Sequence, residues 1–209
     1  MLSWWENIPV LSYILLGAKC RSCKGMIHWR YPALELLSGI LALLFAFKFG
    51  PTAQWLTYMV FLGIFMVAGF IDMDSLILPD ILTYPAAALA LCTPLFLPVD
   101  WLETVLGGLC GAGIFLLLQQ FYLRVRGIDA LGTGDVKLML SLGALVGLSM
   151  LPLMILLSAL CALALAVVYL RRPDGRGLRT AIPFGPFLCL GAVLTLLWGE
   201  NLLRLVMGF

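Results

Sequence analysis

The chain has 209 residues, 63% of them hydrophobic and only 11% charged. Soluble domains carry about 25% charged residues, because a folded surface must be solvated; this composition therefore excludes a water-soluble globule and points to the lipid bilayer as the solvent. A net charge of +2 gives no field that would gather nucleic acid.

Residues 1–10 contain Trp4, Trp5, Glu6, Asn7 and Pro9, with no basic stretch ahead of an apolar run, so no cleavable signal peptide is expected there. Residues 1–32 read as a short cytoplasmic segment and 33–209 as the membrane domain. Beyond the segment, uncharged runs cover 36–47 (reaching back to Tyr31 if Glu35 is tolerated), 49–71, 81–99, 104–123, 138–170 and 180–199. A crossing takes roughly 20 apolar residues, and in hydrocarbon the backbone must satisfy itself, which makes each crossing a helix. The run 138–170 is too long for one crossing. It is interrupted by Gly147-Leu148-Ser149-Met150-Leu151-Pro152, a turn-like stretch, and reads as two short helices. The expected architecture is an all-α polytopic bundle of about seven transmembrane helices. Gly107, Gly108, Gly111 and Gly113 suit close helix packing. Cys92, Cys110, Cys161 and Cys189 lie in apolar stretches and read as packing residues.

Seven alternating spans put every Lys and Arg except Lys48 and Arg204 on one face. Cytoplasmic loops are the ones enriched in Lys and Arg, so the N-terminus and the loops 72–80, 124–137 and 171–179 are expected in the cytoplasm. Two of these loops hold clustered carboxylates: Asp72, Asp74 and Asp80 in one, Asp129 and Asp135 in the other. Asp72 directly follows the uncharged run 49–71, and Asp135 opens the next apolar stretch. A carboxylate at a membrane boundary is functional or paired with a cation. Two carboxylates within hydrogen-bonding distance share a proton, so that one acts as base and the other as acid toward water and a peptide carbonyl. A proton or ion relay in a transporter uses intramembrane Asp as well, and the residues alone leave both readings open. Gly132 and Gly134 offer positive-φ freedom and a bare backbone beside Asp135. Asp80 reads as an N-cap for a helix starting near Ile81, and Lys137 either pairs with Asp135 or faces the cytosol.

Taken together these segments resemble the bacterial type IV prepilin peptidases, a family of membrane aspartic proteases. The match runs through Trp5-Glu6-Asn7-Ile8-Pro9-Val10-Leu11-Ser12-Tyr13, then Gly17-Ala18-Lys19-Cys20-Arg21-Ser22-Cys23, then Arg30-Tyr31-Pro32 with Glu35. It continues with Ile71-Asp72 through Leu78-Pro79-Asp80, Gly132-Thr133-Gly134-Asp135-Val136-Lys137-Leu138, and Ile182-Pro183-Phe184-Gly185-Pro186-Phe187-Leu188. The resemblance implies that Asp72 and Asp135 are the catalytic pair. It also implies cleavage, after a Gly, of the basic leader of prepilins or pseudopilins at the cytoplasmic face of the inner membrane, in the service of type IV pili or type II secretion. Proteolysis of this kind needs no cofactor. Asp74, Asp80 and Asp129 are candidates for contacting the basic leader, and Gly132, Gly134 and Lys137 for the rest of the substrate site.

Many such enzymes also N-methylate the new terminus with S-adenosylmethionine, and Glu35 falls in the corresponding region; from its position it is equally a helix-start carboxylate favoured by the dipole. The family pattern has two Cys-x-x-Cys pairs and a further N-terminal helix, whereas this chain starts just before the Trp5 segment and has the pair Cys20 and Cys23 alone. That pair is half of a tetrahedral zinc site, with His28 as a third candidate ligand; two reduced thiols are the other reading.

Overall fold

The computed structural model describes residues 8, 10–127, 131–170 and 183–207. Asp129, Ile182, the segment before Ile8 and the basic loop 171–179 lie outside them. Among the described residues the fold is all-α: α1 (Leu11–Leu15), α2 (Arg30–Phe49), α3 (Ala53–Ser75), α4 (Asp80–Leu91), α5 (Trp101–Arg126), α6 (Thr133–Val146), α7 (Leu151–Leu170) and α8 (Gly185–Met207). Helices α2 to α8 follow the order read from the uncharged runs. Four of them, Arg30–Phe49, Ala53–Ser75, Trp101–Val125 and Gly185–Leu205, are long and apolar enough to cross a membrane, and the chain is a polytopic membrane protein.

Two boundaries carry information. The break expected after residue 146 is present: Gly147 adopts φ +85° and α7 begins at Leu151. Glu103 of α5 holds this turn, its backbone oxygen accepting the Leu148 N–H and its Oε2 accepting the Ser149 N–H at 2.9 Å. The run 81–99, in contrast, is not one long helix. α4 stops after 12 residues at Leu91 and gives way to a 3₁₀ turn at Thr93–Leu95. Pro94 and Pro98 are the physical reason: each lacks an N–H and disfavours helix in the residue before it.

The chain forms two compact units, Met1–Trp55 and Leu56–Phe209. In the first, the Cys20–Cys23 loop is closed by a lone bridge between Lys19 and Met26, with the Cys20 N–H donating to the Gly25 oxygen at 2.8 Å. The turn from α2 into α3 is fixed by Gly50 at φ +67° and by Thr52, whose hydroxyl caps α3 through the Trp55 N–H.

In the second unit α6 is the hub. It packs on α4, α5 and α8, and α7 packs on α8. Leu138, Met139, Leu142, Ala144 and Leu145 of α6 are all within 1% of complete burial. α5 and α6 cross at glycine: a Cβ on Gly107 would collide with the Gly143 carbonyl oxygen and lie 2.8 Å from the Gly147 carbonyl carbon, and one on Gly108 would lie 3.0 Å from the Leu140 oxygen. Small residues let membrane helices approach backbone to backbone, where dispersion and weak polar contacts replace the missing hydrophobic drive. Gly111 belongs to the same contact; Gly113 does not, since nothing lies within 4 Å of where its Cβ would be.

Candidate active site

Asp72 lies near the C-terminal end of α3. One turn later Leu76 takes φ +55° and its N–H bonds the Asp72 carbonyl oxygen at 2.9 Å. This left-handed residue ends the helix and folds the chain back, so that Leu78 is buried. Asp135 is the third residue of α6, whose N-cap is Gly132. The Asp135 carboxylate lies against this residue, a Cβ on Gly132 falling 3.6 Å from its Oδ2, and the Asp135 N–H bonds the Gly132 oxygen at 3.0 Å. Asp stands here in the capping-box position usually held by Glu.

The two carboxylates line one cavity of about 180 Å³ together with Leu76, Ile77, Leu78, Gly132, Thr133 and Gly134. Asp72 is 5% exposed and Asp135 9%.

A third chain segment closes the site. The N–H of Gly185, the first residue of α8, donates to Asp72 Oδ2 at 3.0 Å. That N–H has no partner within its own helix, so the start of α8 serves as a donor aimed at α3. The approach tolerates no side chain: a Cβ on Gly185 would sit 2.7 Å from Asp72 Oδ2. Two contacts seat the segment, Phe184 stacking on Phe115 of α5 with ring centres 6.0 Å apart, and Pro186 lying against Gly69 of α3.

The remaining sequence candidates divide. Gly132 has φ −66° and Gly134 lies within α6, so neither uses positive-φ freedom. Gly134 is required for space instead, because a Cβ there would lie 2.7 Å from Leu78 Cβ. Asp80 is not an N-cap: it is the first residue of α4, after Pro79, and makes no capping bond. Its carboxylate binds Lys137 Nζ at 2.6 Å, and the same ammonium lies 4.8 Å from the centre of the Tyr84 ring. Lys137 thus pairs with Asp80 rather than with Asp135, at an exposed position, because α4 packs on α6 and brings an acid within reach. Asp74 is exposed on the last turn of α3.

In the N-terminal unit, Glu35 lies beyond the first turn of α2, which removes the dipole reading, and it accepts the Val10 N–H at 2.8 Å. It borders a cleft of about 200 Å³ with Ser12, Tyr13, Cys20, Arg21 and Tyr31. Cys20 and Cys23 supply two thiols, and among the described residues no cluster of three His, Cys, Asp or Glu side chains forms. The residues present therefore do not fit a closed four-ligand zinc site.

Residues 1–49 match the bacterial peptidase A24 N-terminal domain, and residues 59–167 match the type IV leader peptidase family. Three curated relatives bear the name prepilin leader peptidase/N-methyltransferase. That of Pseudomonas aeruginosa is 39% identical over 207 residues, covering 98% of this chain and 71% of the relative. That of Legionella pneumophila is 32% identical over 211 residues, covering 100% and 73%. That of Neisseria gonorrhoeae is 36% identical over 205 residues, covering 97% and 69%. No solved structure matches the chain. With residues 1–49 and 59–167 matched and the two buried motif aspartates lining one cavity, the chain belongs to the type IV leader peptidase family and is a membrane aspartic peptidase.

Proposed function

We propose that this enzyme removes the basic leader of prepilins or pseudopilins, after a Gly, at the cytoplasmic face of the inner membrane, and that Asp72 and Asp135 perform the cleavage. The observation that carries this reading is the shared cavity. Two acids far apart in the chain converge on about 180 Å³, space for several waters at about 30 Å³ each or for one water and a peptide unit. Buried together, the pair holds one proton between them. The ionised partner takes a proton from water as that oxygen bonds to the carbonyl carbon. The protonated partner hydrogen-bonds the carbonyl oxygen as it gains charge. When the C–N bond breaks, a proton passes to the leaving amine and the pair regains its starting state. The Gly185 N–H fixes Asp72 and the N-cap residue Gly132 backs Asp135, so little reorganisation is needed at the moment of reaction. Gly132 and Gly134 keep the rim free of side chains where an extended substrate enters. The direct experiment incubates the purified protein in detergent with a prepilin and follows leader loss on a gel; an uncut leader would refute the proposal.

Two expectations follow for the rim. Gly185→Ala keeps the N–H but drives a methyl into Asp72 Oδ2. Displacing a reacting group by about 1 Å lowers rates about hundredfold, and a fall of that size in kcat, with the protein still folded, is the expected reading. We propose that Asp80, engaged by Lys137, does not contact the leader. Asp80→Asn should leave the dependence of cleavage on leader charge unaltered, measured with leaders carrying successively fewer basic residues. A flattened dependence would return Asp80 to the leader, beside Asp74 and Asp129.

The relatives' names add N-methyl transfer. S-adenosylmethionine would find in the N-terminal cleft a cation for its carboxylate (Arg21), an acceptor for a hydroxyl (Glu35) and flat rings (Tyr13 and Tyr31). At about 200 Å³ the cleft is smaller than the 300–1,000 Å³ of sites that enclose ligands of that size. The residues present do not fit the whole donor, and the two-Asp cleavage takes nothing from it.

A further inference from the structure

Gln119 is a buried amide in the C-terminal third of α5, 6% exposed, within a run that carries no charge from residue 104 to 123. Burying an amide costs about 1–3 kcal/mol unless it is hydrogen-bonded, and polar residues inside membrane helices mark either a helix contact or a working site. Its Nε2 donates to the carbonyl oxygen of Leu131 at 2.8 Å. That oxygen belongs to the same rigid peptide unit as the Gly132 nitrogen. A Cβ built on Gly132 would lie 3.6 Å from Asp135 Oδ2, which places the carboxylate directly against this residue, and the Gly132 oxygen accepts the Asp135 N–H at 3.0 Å. Gln119 thus holds the N-cap residue from one side and Asp135 bonds it from the other. Holding the Leu131 oxygen sets the plane of this peptide and with it where the Gly132 N–H faces.

We infer that Gln119 is a positioning residue for Asp135, acting through the Leu131–Gly132 peptide to orient the carboxylate inside the cleavage cavity. The inference rests on the reading of Asp135 as a member of the catalytic pair. Gln119 itself touches no reacting atom. Its contribution is to keep the N-cap of α6 from rotating, because a turned peptide would shift the residue that backs Asp135 and leave the carboxylate free to swing. The same face of α5, one turn earlier, carries Phe115, which seats Phe184 ahead of the α8 donor to Asp72. α5 therefore supports both acids without contributing one.

Gln119→Met preserves side-chain length and removes the donor. With the full-length protein in detergent and a prepilin substrate, kcat should fall about 10- to 100-fold, the usual effect of losing an outer hydrogen-bond partner. KM should stay within about twofold, and Tm should not fall. Gln119→Asn, which keeps the amide but draws it back by one methylene, should lower kcat similarly and guards against a fold defect in the first variant. Gln120→Met, at the exposed neighbour, should be silent. Unchanged kcat in both Gln119 variants, or a loss accounted for by KM or by a lowered Tm, would show that Gln119 only glues the loop to α5. Asp135→Asn run alongside separates the two ideas: if it still cleaves, the catalytic reading itself fails, whereas a dead Asp135→Asn beside a fully active Gln119→Met overturns this inference alone.

Discussion

Asp72→Asn and Asp135→Asn, each alone, are expected to abolish leader removal while the protein stays folded. General acid–base catalysis by a placed side chain contributes about 10²–10⁴-fold, and groups that act as a unit are not additive. The double substitution should therefore be no slower than either single one. Asn conserves shape, so the cavity keeps its volume and the Gly185 N–H still finds an oxygen. Stability separates a catalytic loss from a structural one. Asn fills the same space as the buried acid it replaces and carries no charge to bury, so neither variant should show a lower Tm than the parent protein. Cleavage surviving either substitution would remove the two-carboxylate mechanism.

Gly107→Ala should produce the largest loss of stability. Alanine ordinarily improves a helix over glycine by about 1 kcal/mol. Here the added methyl would meet the Gly143 carbonyl oxygen and the Gly147–Leu148 peptide, all of them backbone. No rotamer change relieves that contact. Overpacking costs about 1–3 kcal/mol even where side chains can yield, so the net effect should be a loss of at least about 2 kcal/mol, read as a lowered Tm in detergent. Gly143→Ala should behave alike, since the same crossing is approached from the other side. Gly113→Ala supplies the contrast, because open space surrounds it and the propensity gain should appear unopposed. Equal effects at positions 107 and 113 would mean that the two helices do not cross where the structure has them.

Much of the architecture was legible because hydrocarbon permits few solutions. Charge-free runs located α2, α3, α5, α7 and α8, and the glycine–proline interruption near residue 147 separated α6 from α7. The early stop of α4 was legible in principle, through Pro94 and Pro98, but an apolar run continues past it and hides the change of conformation. Asp72 and Asp135 stood out as acids at the ends of apolar stretches. What holds them did not. The Gly185 N–H, the Gln119 amide and the Lys137–Asp80 pair each join residues on different helices, and no periodicity within one helix records such a partner. Gly132 and Gly134 were noticed for backbone freedom, yet Gly134 matters through the crowding of Leu78. Gly143 passed unnoticed because a lone glycine in an apolar helix has no pattern of its own.

The shortness of α4 and α6 has a further consequence. With 12 and 14 residues at 1.5 Å each, they rise only about 18 and 21 Å, against a hydrocarbon layer about 30 Å thick. Lipid beside α4 must dimple inward or leave its ends below the headgroups, and α6, enclosed by α4, α5 and α8, is too short to carry its own ends to the headgroups. α6 carries Asp135 at one such end, and α4 opens just after Leu78 at the cavity wall. A depression of that kind admits water to the carboxylates from the adjoining surface, so a hydrolytic reaction can proceed at membrane depth without a pore being built for it.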